Sequence, residues 1–104
     1  MIEVQTTWDF LPDMDQDEYA QWSKKKVELQ LKAPGFIEFR ANRNLLGQPQ
    51  VRATSVWKTM ADAANFLESP DYRELFAEGL DRLITNTTID FWGQSPMIPG
   101  PLRP

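Results

Sequence analysis

Residues 51–76, VRATSVWKTMADAANFLESPDYRELF, constrain the fold of this chain more than any other stretch. Small and apolar residues alternate over 51–57, then recur every three or four positions after Thr59. That change of period marks a strand running into a helix. Thr59 is placed to cap the helix, with Asp62 in its first turn complementing the backbone dipole. Ser69-Pro70 ends it and opens another, because proline fits a first helical turn, where its missing N–H costs nothing. The apolar stripe Tyr72, Leu75, Phe76, Gly79, Leu80 and Leu83 gives the second helix one buried face.

The rest of the chain supplies what this unit packs against. Residues 2–8 alternate, with Ile2, Val4, Thr6 and Trp8 on one side, as in a strand with one apolar face. After Pro12, Asp15 and Glu18 have capping-box spacing, and a helix is expected over 16–32, stopped by Pro34-Gly35. Tyr19, Trp22, Leu29 and Ala33 share a face, and Ala20, Val27 and Leu31 form a second stripe. Lys24-Lys25-Lys26 reads as a solvated surface run. FIEFRANR, residues 36–43, is a strand with Ile37, Phe39 and Ala41 opposite Phe36, Glu38 and Arg40. A loop containing Gly47 and Pro49 returns it to the strand at 51. Residues 86–93 read as the last strand.

The order is β-α-β-β-α-β with the second helical segment divided, which is a ferredoxin-like α+β domain: a four-stranded antiparallel sheet with helices on one face. This domain is expected to occupy residues 1–93. The sheet's other face mixes Thr, Gln, Ser, Arg and aromatic residues, and a second copy placed sheet to sheet covers it with one self-complementary surface. Residues 94–104 hold four prolines and form an extended tail. The tail is either disordered or an arm across a partner subunit, held by Met97, Ile98 and Leu102.

Composition narrows the chemistry. The chain has no cysteine and no histidine, which excludes a thiolate nucleophile, an imidazole base, a Ser-His-Asp triad and histidine or cysteine metal ligands. The net charge of −4 argues against a nucleic-acid partner. With no long apolar run and no signal-like start, no membrane span is expected, and the protein is read as cytoplasmic. Asp9, Asp13, Asp15, Asp17 and Glu18 lack the mid-loop glycine of a calcium-binding loop, and no metal site is expected.

Pro34-Gly35-Phe36, Val56-Trp57-Lys58 and Phe66-Leu67-Glu68-Ser69-Pro70 leading into Tyr72 resemble the antibiotic biosynthesis monooxygenase family of dimeric α/β barrels. The resemblance covers nearly all of residues 1–93. It implies a homodimer with a pocket between sheet and helices in each subunit. Activities in that family include cofactor-independent oxygenation of polyketides, quinol oxidation and haem degradation. Its oxygenases commonly carry a tryptophan where Phe66 stands and an asparagine where Asp62 stands. Its haem-degrading members place a histidine ligand where this chain has Phe76, so haem degradation is not expected. Tyr72 matches a tyrosine that contacts a substrate phenol in the family's polyketide oxygenases.

The expected chemistry is a cofactor-free monooxygenation of a small phenol, quinol or polyketide-like molecule. Such a reaction needs a dry apolar pocket and one or two donors for an oxyanion. Trp57, Phe66, Phe39 and Phe76 are the candidate walls; Tyr72, Trp22 and Arg40 are the candidate donors; Asp62 is a candidate general base. Arg40 and Arg52 lie on neighbouring strands, and Glu3 or Glu38 would compete with a ligand for them. Two other classes stay open: a non-catalytic ligand-binding or accessory protein, and an isomerase or lyase in which Asp62 or Tyr72 moves a proton without oxygen.

Overall fold

The computed structural model describes residues 1–104. Its elements are β1 (Ile2–Phe10), α1 (Gln16–Leu31), β2 (Phe36–Arg43), β3 (Val51–Trp57), α2 (Met60–Glu68), α3 (Pro70–Arg82) and β4 (Ile84–Trp92). The strands form one sheet in the order β2-β3-β1-β4, with every neighbour antiparallel. This is the ferredoxin-like α+β arrangement. The helix boundaries follow the local chemistry. Asp15 accepts from Glu18 N at the start of α1, Thr59 accepts from Asp62 N at the start of α2, and Pro70 opens α3. Ser69 holds the α2–α3 junction differently from a side-chain cap: its hydroxyl donates to Phe66 O at 2.6 Å.

Helices cover one face of the sheet. Two apolar clusters fill the space between them: Trp8, Trp22, Val51, Ala53, Leu75, Leu83 and Ile84 at one end, and Val4, Trp57, Ala63, Phe66 and Tyr72 at the other. The opposite face carries polar groups. Arg40 lies between Glu3 and Glu38, Arg52 donates to Asn42 at 3.1 Å, and Thr7 bonds Thr88. Asp9, one of the acidic residues near the first helix, belongs to β1. It accepts from Gln50 N and Asn86 Nδ2, tying the β2–β3 loop and β4 to the central strand.

Three local expectations are corrected. In β2 the register slips between Phe36 and Glu38, so Phe36 lies opposite Trp57 and Phe39 opposite Ser55. The bulge takes up Ile37, and Phe36 and Phe39 both face the helices rather than opposite sides. On α1 the buried stripe is Trp22, Lys26 and Gln30, while Ala20 and Leu31 are exposed. The last strand starts two residues earlier than expected, because Ile84 is fully buried and pairs with Phe10.

Beyond Trp92 there is no helix or strand. The tail turns back along the outer face of its own sheet, where Trp92, Ile98 and Pro99 form a groove of about 480 Å³ with Glu3, Arg40 and Val56.

Candidate functional site

The strand-to-helix unit builds an aromatic ladder across the sheet–helix interface. Phe36, Trp57, Phe66, Tyr72 and Phe76 follow one another with ring centroids 5.5, 5.1, 4.8 and 5.7 Å apart. Trp57 reaches inward from the end of β3, and its indole N–H donates to Ser55 Oγ at 2.8 Å. The next two rungs come from α2 and α3, which Ser69-Pro70 holds in sequence. Such ring pairs favour tilted and edge-on geometries, and each adds about 0.5–1.5 kcal/mol beyond its buried area.

Tyr72 is 4% exposed. Burial pushes its pKa up to about 12, so at neutral pH the phenol is a proton donor and not a phenolate. Its hydroxyl makes no hydrogen bond to another protein group, although its ring is packed on both sides.

Beside this ladder a groove of about 320 Å³ opens between the C-terminal half of α1 and the α2–α3 junction. Phe66 forms its floor, Leu29 and Ala33 one wall, and Asp62, Asn65, Ser69 and Asp71 the polar rim. The turn that joins α1 to β2 shapes the mouth. Gly35 has φ +82°, and a Cβ there would lie 2.1 Å from Asp62 Oδ2, so the carboxylate packs directly against the glycine. Only glycine accommodates both the left-handed backbone and that approach.

The structure therefore brings Trp57, Phe66, Tyr72 and Phe76 together and puts Asp62 at the entrance. Phe39 and Trp22 belong to the neighbouring cluster, and Leu29 and Phe76 touch both clusters. Two of the expected donors are placed elsewhere. The Trp22 N–H is taken by the Leu75 carbonyl at 2.7 Å, which leaves it nothing for a ligand. Arg40 points from the outer face of the sheet and is held by Glu3 first and Glu38 second, whose hydrogen bonds raise its pKa. The strand alternation set Arg40 opposite Phe39, and the bulge at Ile37 puts Phe36 on the side of Phe39 as well.

Lys26 was not among the expected site residues. It is 4% exposed, and its ammonium lies 4.5 Å from the centroid of Trp8, 5.7 Å from Phe39 and 5.8 Å from Trp22. No carboxylate pairs with it. Burial lowers its pKa from 10.5 to about 8. One turn further along α1, Gln30 is 3% exposed and its Oε1 has no hydrogen-bond partner. The signal available in the sequence was helical phase, since 22, 26, 30 and 33 fall on one face.

Residues 1–78 match the family described as antibiotic biosynthesis monooxygenase. The chain belongs to that family. Among solved structures it is similar to a conserved protein from Methanosarcina mazei Go1, with 21% identity, 88% of this chain and 89% of that chain covered, and a TM-score of 0.75. It is also similar to SnoaB, a cofactor-independent oxygenase from Streptomyces nogalater, with 14% identity, coverage of 95% and 97%, and a TM-score of 0.75. A third is a dimeric ferredoxin-like protein of unknown function from Thermobifida fusca, with 13% identity, coverage of 88% on both sides, and a TM-score of 0.72. At these identities the likeness is one of fold. No curated protein matches the chain. No helix of this family member is long and apolar enough to cross a membrane.

Proposed function

We propose that this family member is a cofactor-independent monooxygenase of a small phenol, quinol or polyketide-like aromatic. The observation that carries the reading is the largely buried Tyr72 side chain, a neutral phenol without a protein hydrogen-bond partner between Phe66 and Phe76 in the aromatic ladder. Family membership and the fold shared with SnoaB support it. Substrate enters by the groove over Phe66, the one ladder ring that lines it, and reaches Trp57 and Phe76 beyond Phe66, with Phe39 and Trp22 in the neighbouring cluster. Asp62 at the mouth takes the proton of the substrate. Tyr72 orients the ring and donates to its oxygen.

The reaction needs no metal or organic cofactor if the substrate is itself the reductant. A deprotonated phenol or enol transfers one electron to dioxygen, and the resulting carbon radical and superoxide combine as a peroxide. At an activated CH₂ carbon, loss of water leaves a carbonyl, so that CH₂ and O₂ become C=O and H₂O. The protein contributes orientation, water exclusion and a donor for the anion. The working form is a homodimer with the outer sheet faces together.

Oxygen uptake with anthrones and quinols tests this reading. Uptake above a buffer blank without added cofactor supports it, and blank rates overturn it. Binding of the same compounds without uptake favours the ligand-binding alternative, for which Phe66 and Asp62 in place of tryptophan and asparagine speak.

A further inference from the structure

Lys26 and Gln30 take no part in that chemistry, yet both side chains are almost fully buried, and the Gln30 Oε1 has no hydrogen-bond partner. Lys26 has three N–H donors and no acceptor within the protein; the faces of Trp8, Trp22 and Phe39 lie around its ammonium. Gln30 has a carbonyl oxygen and no donor. Buried polar groups are nearly always satisfied, so the orphan Gln30 carbonyl, one turn from an ammonium held against ring faces with no carboxylate, calls for a partner. The two residues are four apart, one turn, on the same stripe of α1.

We propose that Lys26 and Gln30 form a subsite for the hydroxyl of a phenol, the Lys26 ammonium donating to the oxygen and the Gln30 carbonyl accepting the proton. A phenolic hydroxyl meets both needs with one atom pair, because its oxygen accepts while its hydrogen donates. When the phenol ionises, the ammonium stabilises the phenolate in surroundings with little water to screen the charge. The rings of Trp8 and Phe39 supply flat apolar walls.

This subsite rests on the reading above and extends it. Leu29, next to Gln30 on α1, and Ala33 just past the helix end line the groove over Phe66, and Leu29 and Phe76 touch both apolar clusters. The substrate class is a phenolic aromatic whose hydroxyl meets Lys26 and Gln30.

The test uses 4-nitrophenol, whose ionisation is visible in its absorption, in oxygen-free buffer. Wild-type protein is expected to bind it and shift its ionisation to lower pH. Lys26→Met and Gln30→Leu, both near in volume to the native residue, are expected to weaken binding by about tenfold or more. A Cε NMR titration of Lys26 in the wild type removes dependence on how the variants fold: its pKa near 8 rises when the probe is saturating. No ionisation shift on the wild type, binding by both variants equal to wild type, or a Lys26 titration unchanged by the probe overturns the subsite. Because oxygen is excluded, Lys26-dependent binding by a protein that shows no oxygen uptake rejects the oxygenase reading while keeping this subsite.

Discussion

The indole N–H of Trp22 on α1 donates to the main-chain oxygen of Leu75 on α3 at 2.7 Å, and the same ring lies where Gly79 has no side chain. A Cβ at position 79 would come within 2.6 Å of Trp22 Cζ2. One residue thus sets both the spacing and the register of the two long helices.

Gly79→Ala is expected to destabilise the fold. Overpacking at a rigid ring costs about 1–3 kcal/mol, and the gain in helix propensity returns only about 1 kcal/mol. Urea unfolding should show a net loss of up to about 2 kcal/mol. An increase in stability would mean that α3 moves off α1 freely.

Lys26 predicts an unusual pH dependence. Its folded pKa, about 8, lies below the ordinary 10.5, so between those values the unfolded chain holds the proton that the folded one has lost. Stability therefore rises with pH across that window, by about 3 kcal/mol in total. The groups packed against the ammonium are the rings of Trp8, Trp22 and Phe39, and none of them titrates in the window. Tyr72 acts in the opposite sense at higher pH. Its folded pKa of about 12 exceeds the ordinary 10, so stability falls as pH rises from 10 towards 12. Unfolding midpoints across pH 7–11 should pass through a maximum near pH 10. Lys26→Met should remove the rising limb and add about 1–3 kcal/mol at pH 7, because an apolar side chain of similar length carries no desolvation cost there.

Tyr72→Phe separates packing from chemistry. The hydroxyl has no protein partner, so its removal is expected to change stability by less than about 0.5 kcal/mol. Turnover or ligand affinity should fall about tenfold or more, as for the loss of one donor to a developing anion. Equal loss of stability and activity, or no loss of either, would leave Tyr72 a core residue.

Arg40→Ala should spare ligand binding in the groove, because Arg40 lies on the other side of the sheet. Sedimentation velocity is expected to show a homodimer in the wild type and weaker self-association in the variant, since Glu3 and Glu38 would face the partner uncompensated. Weakened ligand binding with unchanged assembly would contradict this division of the two faces.

Local signals were strong enough to read the element order from the chain. Thr59, Asp15 and Pro70 each mark a helix start by a mechanism that acts within four residues, and each does so in the structure. The aromatic ladder was legible for the same reason, as Trp57, Phe66, Tyr72 and Phe76 follow the period of their elements. What escaped depends on partners distant in sequence. The bulge at Ile37 is visible only against the register of β3, and it moves Phe36 to the helix side. Lys26 looks solvated within a run of three lysines, and its burial follows from Trp8 and Phe39 arriving from two strands. Trp22 could be named as a donor but not as one already engaged, because Leu75 lies 53 residues away.

The most direct test of the central claim is the rate of oxygen consumption by the purified protein with an anthrone or quinol and no added metal or cofactor. The account predicts consumption well above the spontaneous rate, with one water formed per dioxygen at an oxidised CH₂, and about a tenfold or greater drop in Tyr72→Phe. Consumption equal to the blank across substrates that demonstrably bind would contradict it.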